Sequence, residues 1–177
     1  MAAPLPAPIP NYAAMNAFIG AFDEITRPSF EDRVTAMWSF ILGQAFPGAE
    51  DYVLHPQYSN SAGFTDITMH HWRRAPAGNM QRTPFLIAQM KRTGCEGSLA
   101  SWHEAEHQLN RYLGRLAPTP RYRHLYGIVA IGRWVKFYKY NKTWRHVAFM
   151  QGREGPYHVI NDEAVIIQRL TVMKGIH

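Results

Sequence analysis

The chain has 177 residues, enough to bury a proper core and too few for two ordinary domains. An apolar fraction of 46% beside 18% charged residues is a globular composition and excludes wholesale disorder. No apolar run approaches the roughly 18 residues that suggest a membrane span. The Pro-rich opening also lacks the cationic start of a signal peptide. With a single cysteine, Cys95, there is no internal disulfide, and the expectation is an intracellular protein, cytoplasmic or nuclear, without a membrane partner. Residues 1–15 read as an extended arm and 16–177 as a single domain.

The net charge of +6 is unevenly placed. Residues 1–60 set Arg27 and Arg33 against Asp23, Glu24, Glu31, Asp32, Glu50 and Asp51. Between Glu106 and Glu154 there is no carboxylate, while cations recur among Tyr122, Tyr126, Trp134, Tyr138, Tyr140 and Trp144. Basic residues interleaved with aromatics suit phosphate contact and base stacking. Arg111, Arg115, Lys136 and Lys139 are the candidates for contact with a nucleic-acid backbone.

In chain order, Ser29 is positioned to cap a helix through Phe30 to Gln44, with Val34, Met37, Trp38, Ile41 and Leu42 at the spacing of a buried stripe. Three strands follow, Asp51 to Tyr58, Gly63 to Trp72 and Thr83 to Arg92, separated by turn chemistry at Ser59-Asn60-Ser61 and Pro76-Ala77-Gly78-Asn79. A second helix runs from Ser98 to about Leu116 on a stripe of Leu99, Trp102, Leu109, Leu113 and Leu116. Pro118-Thr119-Pro120 closes it. Tyr126 to Gly132 reads as a strand buried on both faces. Trp134 to Tyr140 and His146 to Met150 are further strands, and Asn161 caps a last helix with Val165, Ile166, Leu170 and Met173 on its apolar side. The order is α, β, β, β, α, β, then additions: an α/β fold with a central mixed sheet flanked by helices.

Within that order, Gly63-Phe64-Thr65-Asp66-Ile67 precedes Phe85-Leu86-Ile87-Ala88-Gln89-Met90-Lys91 by one strand. Gln89 and Lys91, two apart, share a strand face while Met90 turns to the other. Asp66 is a hard oxygen ligand and Lys91 a cation, the pair that phosphodiester hydrolysis needs beside a divalent ion. This arrangement resembles the PD-(D/E)XK nuclease superfamily over roughly residues 29 to 140. The resemblance implies a restriction-endonuclease-like core and a metal-dependent nuclease acting on DNA rather than RNA. It implies Mg²⁺ or Mn²⁺ held by Asp66, Gln89 and the helix-one carboxylate Glu31, with Lys91 organising the attacking water. Gln89 stands where most members carry Glu or Asp, as in Mrr-type relatives; its carbonyl still offers an oxygen but removes one negative charge. Gln108 and Tyr112, four apart on the following helix, resemble the Gln-x3-Tyr motif of RecB-type nucleases and would buttress the site. A nucleic-acid or partner-binding module that has lost catalysis is the alternative, and a homodimer is compatible with cutting two strands.

His103-Glu104-Ala105-Glu106-His107 spells the HExxH pattern of zinc hydrolases. The context disagrees: Asn110 and Leu113 occupy the glycine and histidine positions of the longer motif, leaving only His124 or His146 as a third ligand. Both helix histidines also fall away from the apolar stripe, towards solvent. His70 shares a strand face with Asp66 and could assist metal or phosphate binding, but is read as an incidental strand histidine, and Cys95 is given no role.

Overall fold

A computed structural model describes residues 7–26, 30–60, 63–117, 124–143, 145–150 and 154–175. Its elements in chain order are α1 (Asn16–Asp23), α2 (Glu31–Ala45), a 3₁₀ turn (Gly48–Glu50), β1 (Tyr52–Asn60), β2 (Gly63–Arg74), β3 (Met80–Lys91), α3 (Leu99–Leu116), β4 (Tyr126–Ile131), β5 (Trp134–Asn141), β6 (His146–Phe149), β7 (Tyr157–His158) and α4 (Glu163–Lys174). The strands form one mixed sheet in the order β1-β2-β3-β4-β5-β6, with β7 added beside β5. All neighbours are antiparallel except β3 and β4, which run parallel. Parallel neighbours need a long crossover, and α3 supplies it.

Alternation along the central strands divides the core in two. Leu86, Ala88 and Met90 of β3, with Ile128 and Ala130 of β4, belong to the larger cluster under α1, α2 and α4. Ile87 of β3, with Val129 and Ile131 of β4, joins Trp102, Leu109 and Leu113 of α3 on the opposite face. The expected α2 stripe is wholly buried, from Val34 to Leu42. Gly127 lets α3 approach β4 closely: a Cβ there would stand 2.4 Å from Leu109 Cδ2.

Several expectations are corrected. Helix α1 had no forecast; Phe18 anchors it in the core. The N-cap position of α2 falls on Phe30, without a side-chain cap, and Ser29 lies outside the described residues, as do Pro118, Thr119 and Pro120. Leu99 is 71% exposed rather than part of the α3 stripe, standing as the first residue of the helix. The cap of α4 is Asp162, not Asn161, and its carboxylate accepts from the His158 N–H instead of from the helix.

Within the stretch read as an arm, Ile9 and Tyr12 are buried, and the Tyr12 hydroxyl donates to the Val159 carbonyl at 2.8 Å. Lys174 is buried and donates to Glu50 at 2.8 Å and to the Ala7 carbonyl at 3.1 Å. That ammonium ties three sequence-distant segments together on the α4 side.

Candidate active site

The pairing between β2 and β3 continues to Ile67 opposite Ala88 and stops there, while β3 stays paired with β4 as far as Lys91. The two strands therefore part next to Asp66, leaving the Met90 N–H without a β2 carbonyl. Asp66 Oδ2 takes that N–H at 2.7 Å. The carboxylate thus sits in the fork between the strands, fixed by the backbone of the very triplet that carries Gln89 and Lys91.

The pleat of β2 is broken at the same point. Thr65 and Thr68, three apart, place their hydroxyls 2.7 Å from each other, which a regular two-residue repeat forbids. Opposite Asp66, Gln57 of β1 has φ of 49°, a left-handed conformation that a side chain adopts at a cost. In the β1–β2 register, Pro56 pairs with Ile67 and Tyr58 with Thr65, and the Gln57–Asp66 step between them is unpaired. A local irregularity of this kind re-aims a side chain out of the sheet.

Glu31, in the first turn of α2, reaches the same region. Burial raises its carboxyl above the ordinary value, the Asp66 charge raises it further, and Lys91 opposes both. Asp66 is likewise raised, chiefly by burial, against the Met90 hydrogen bond and Lys91, which lower it. The three groups feel one another electrostatically. Yet Lys91 makes no ion pair with either carboxylate within 4 Å, so they are neighbours without being in contact. Gln89, on the Ile87 face of β3, is 3% exposed and its Nε2 has no hydrogen-bond partner. Turned over, the same amide would present its carbonyl oxygen at that position.

A divalent ion suits these donors. Both carboxyls are penalised for ionising without a cation, and one amide end is unsatisfied. Mg²⁺ is ordinarily held by one or two carboxylates, with water and substrate phosphate completing its shell. Among the described residues no group of three or more His, Cys, Asp or Glu side chains is placed to hold a metal; Asp66 and Glu31 are the carboxylates that act on one another, while Gln89 lies on the α3 face of β3.

Other candidates fall elsewhere. Gln108 donates its amide to Glu104 at 3.2 Å, and Tyr112 is buried in the α3 core with the Arg111 guanidinium 5.5 Å from its ring centre. Neither is hydrogen-bonded to Asp66, Gln89 or Lys91. Tyr112 packs in the cluster that holds Ile87, and Gln108 is not among that cluster's members. Lys136 is not an open phosphate ligand: its ammonium meets Glu106 at 3.4 Å and lies over the Trp102 and Phe149 rings. Glu106 also accepts from the Tyr138 hydroxyl. Arg111, Arg115 and Lys139 are exposed.

His103 and His107 are exposed as expected and border, with Glu106, Asn110, His146 and Val147, a shallow surface cavity. The three histidines and the glutamate do not converge as a metal site.

What sequence reading missed is a cluster on the β1–β2–β3 side. His55 and His70 have ring centres 4.7 Å apart, Tyr58 lies 5.2 Å from His70, and Arg82 Nη2 donates to the Tyr58 hydroxyl at 3.2 Å. The strand register alone carries a signal, since His55 pairs with Thr68, beside His70. His71, by contrast, stacks on Tyr52 at 4.4 Å.

Compared with protein-family models, with curated proteins and with solved structures, the chain matches none.

Proposed function

We propose that the chain is a divalent-metal-dependent nuclease of the PD-(D/E)XK kind, hydrolysing phosphodiester bonds in nucleic acid, DNA rather than RNA. The observation that carries this reading is the fork at β2–β3, where Asp66 is held against Met90 and both Glu31 and Lys91 act on it. The order α2, β1, β2, β3, α3, β4, with β4 parallel to β3, supports a restriction-endonuclease-like core.

Asp66, Glu31 and the Gln89 carbonyl would hold Mg²⁺ or Mn²⁺. When bound, such an ion supplies Lewis acidity at a phosphoryl oxygen and lowers the pKa of an attacking water. Lys91 contributes positive charge where a phosphate gains negative charge, and β3 fixes its approach. The Met90 N–H keeps Asp66 in one rotamer, so no reorganisation is needed when substrate arrives. Exposed Arg111, Arg115 and Lys139 supply backbone contacts, and a homodimer would present two such sites to a duplex.

One observation favours a second reading. An amide at Gln89 leaves a donor set with one negative charge fewer, which suits a module that binds nucleic acid without cutting it. Incubation with single- and double-stranded DNA and RNA in Mg²⁺, Mn²⁺ or chelator separates the two. Metal-dependent cleavage of DNA is the expected result; binding that weakens with salt, without cleavage in either metal, selects the second reading.

A further inference from the structure

His70 is the most conspicuous polar group outside the candidate active site. It is 1% exposed, yet neither ring nitrogen has a hydrogen-bond partner among the described residues. His55 Nε2, beside it, is buried and unpartnered as well. Buried polar groups are normally satisfied, and orphaned ones cost free energy unless something fills the place. A cavity of about 120 Å³ adjoins His70, bounded also by Tyr58, Thr68, Arg82, Pro84 and Ile87, among others, and several times larger than one water requires.

The charge around this cavity has one sign. Burial first, and then the Arg82 charge and His55, push the pKa of the His70 imidazole down to about 3. No carboxylate appears among the groups acting on His70. From β1 it is faced by His55 and Tyr58, from β3 by Arg82, and from α3 only by Leu116. Arg82 lies 5.6 Å from the Tyr58 ring centre, so the guanidinium and the phenol are held together at the rim.

We infer that this cavity is an oxyanion site, built to take a phosphate group between Arg82 and Tyr58 at the rim and the His70 imidazole within, against which the His55 ring packs edge-on. An anion would accept from the guanidinium and from an imidazole N–H, and would offset the positive charge that Arg82 turns on His70. The cationic Arg82 argues against a metal ion at the same place. The site is distinct from the Asp66 fork, with the Thr65–Thr68 hydroxyl contact lying between them on β2, and it does not depend on nuclease activity.

The test is equilibrium binding in the presence of chelator, so that no metal-dependent reaction enters the readout. Inorganic phosphate, a nucleoside 5′-monophosphate and a short single-stranded oligonucleotide are titrated while the imidazole resonances of His55 and His70 are followed by NMR. Saturable shifts at both imidazoles with inorganic phosphate are expected. Tighter binding of the monophosphate identifies a nucleotide as the source of the phosphate, and tighter binding of the oligonucleotide identifies a strand. Arg82→Ala, at an exposed position, is expected to weaken binding at least ten-fold, the lower end for losing a charge-assisted hydrogen bond at about 1.5–3 kcal/mol. His70→Gln gives a second arm, with folding checked by circular dichroism. Absence of saturable shifts at both imidazoles would overturn the inference. So would phosphate affinity unchanged in Arg82→Ala.

Discussion

Asp66 Oδ2 accepts the Met90 N–H at 2.7 Å, so a side chain on β2 replaces the strand partner that β3 loses where the two diverge. The contact gives Asp66 a structural duty as well as a chemical one. Asp66→Asn keeps an oxygen for that N–H and is expected to retain wild-type folding. Asp66→Ala leaves the N–H unpaired in a part-buried place and should cost about 1–3 kcal/mol. Urea unfolding of both variants checks this; equal stability of Ala and Asn would show that the bond contributes nothing.

The raised carboxyls set a pH dependence. Glu31 and Asp66 bind protons more tightly folded than unfolded, so the stability they contribute is full below the ordinary carboxylate range. It is lost as pH rises through their raised folded values. Glu31→Gln should therefore raise the Tm of metal-free protein at pH 7.5 and leave it unchanged at pH 3.5. Mg²⁺ should raise the wild-type Tm at neutral pH by binding the folded state. Thermal melts in chelator and in Mg²⁺ would expose the opposite pattern, a Tm lowered by Glu31→Gln at pH 7.5, as inconsistent with two penalised carboxylates.

Gln89→Glu places a third carboxylate against the other two. Metal-free protein should become less stable by roughly 1–3 kcal/mol, because the new charge is buried without a partner. Mn²⁺ binding should tighten at least about ten-fold, the equivalent of ~1.4 kcal/mol. Calorimetric titration measures the second effect; unchanged Mn²⁺ affinity in a folded Gln89→Glu variant would place this side chain outside the donor set.

The basic segment does not act as a block. Lys136 is committed to Glu106 and two aromatic rings, whereas Lys139 is exposed on the same strand. Lys139→Met and Arg111→Met should each weaken DNA binding and reduce the salt slope by about 1, while Lys136→Met leaves the slope unchanged. Fluorescence anisotropy across a salt series distinguishes them. A reduced slope in Lys136→Met alone would reverse the assignment.

Much of the scaffold is legible in periodicity. The α2 stripe, the alternation that sends Met90 away from Gln89 and Lys91, and the fully apolar β4 are direct consequences of burial on one or two faces. The spacing of Asp66 and Lys91 also brings these two groups into one electrostatic neighbourhood with Glu31. Other features come from tertiary packing and are invisible locally. Gln108 turns to Glu104 on its own helix, Lys136 to Glu106 on another element, and the kink at Thr65–Thr68 breaks the very alternation by which strand faces are assigned. The His55–His70 pairing needs the β1–β2 register, which no single-strand pattern specifies.

Single-turnover cleavage of a labelled DNA duplex by wild type, Asp66→Asn and Lys91→Ala, each in Mn²⁺ and in chelator, tests the central claim most directly. The fork around Asp66 predicts wild-type cleavage in Mn²⁺ that chelator abolishes and that each substitution reduces at least about 10²-fold, the scale of removing one electrostatic contributor to a transition state. Cleavage surviving in both variants, or wild type inert in metal, would contradict it.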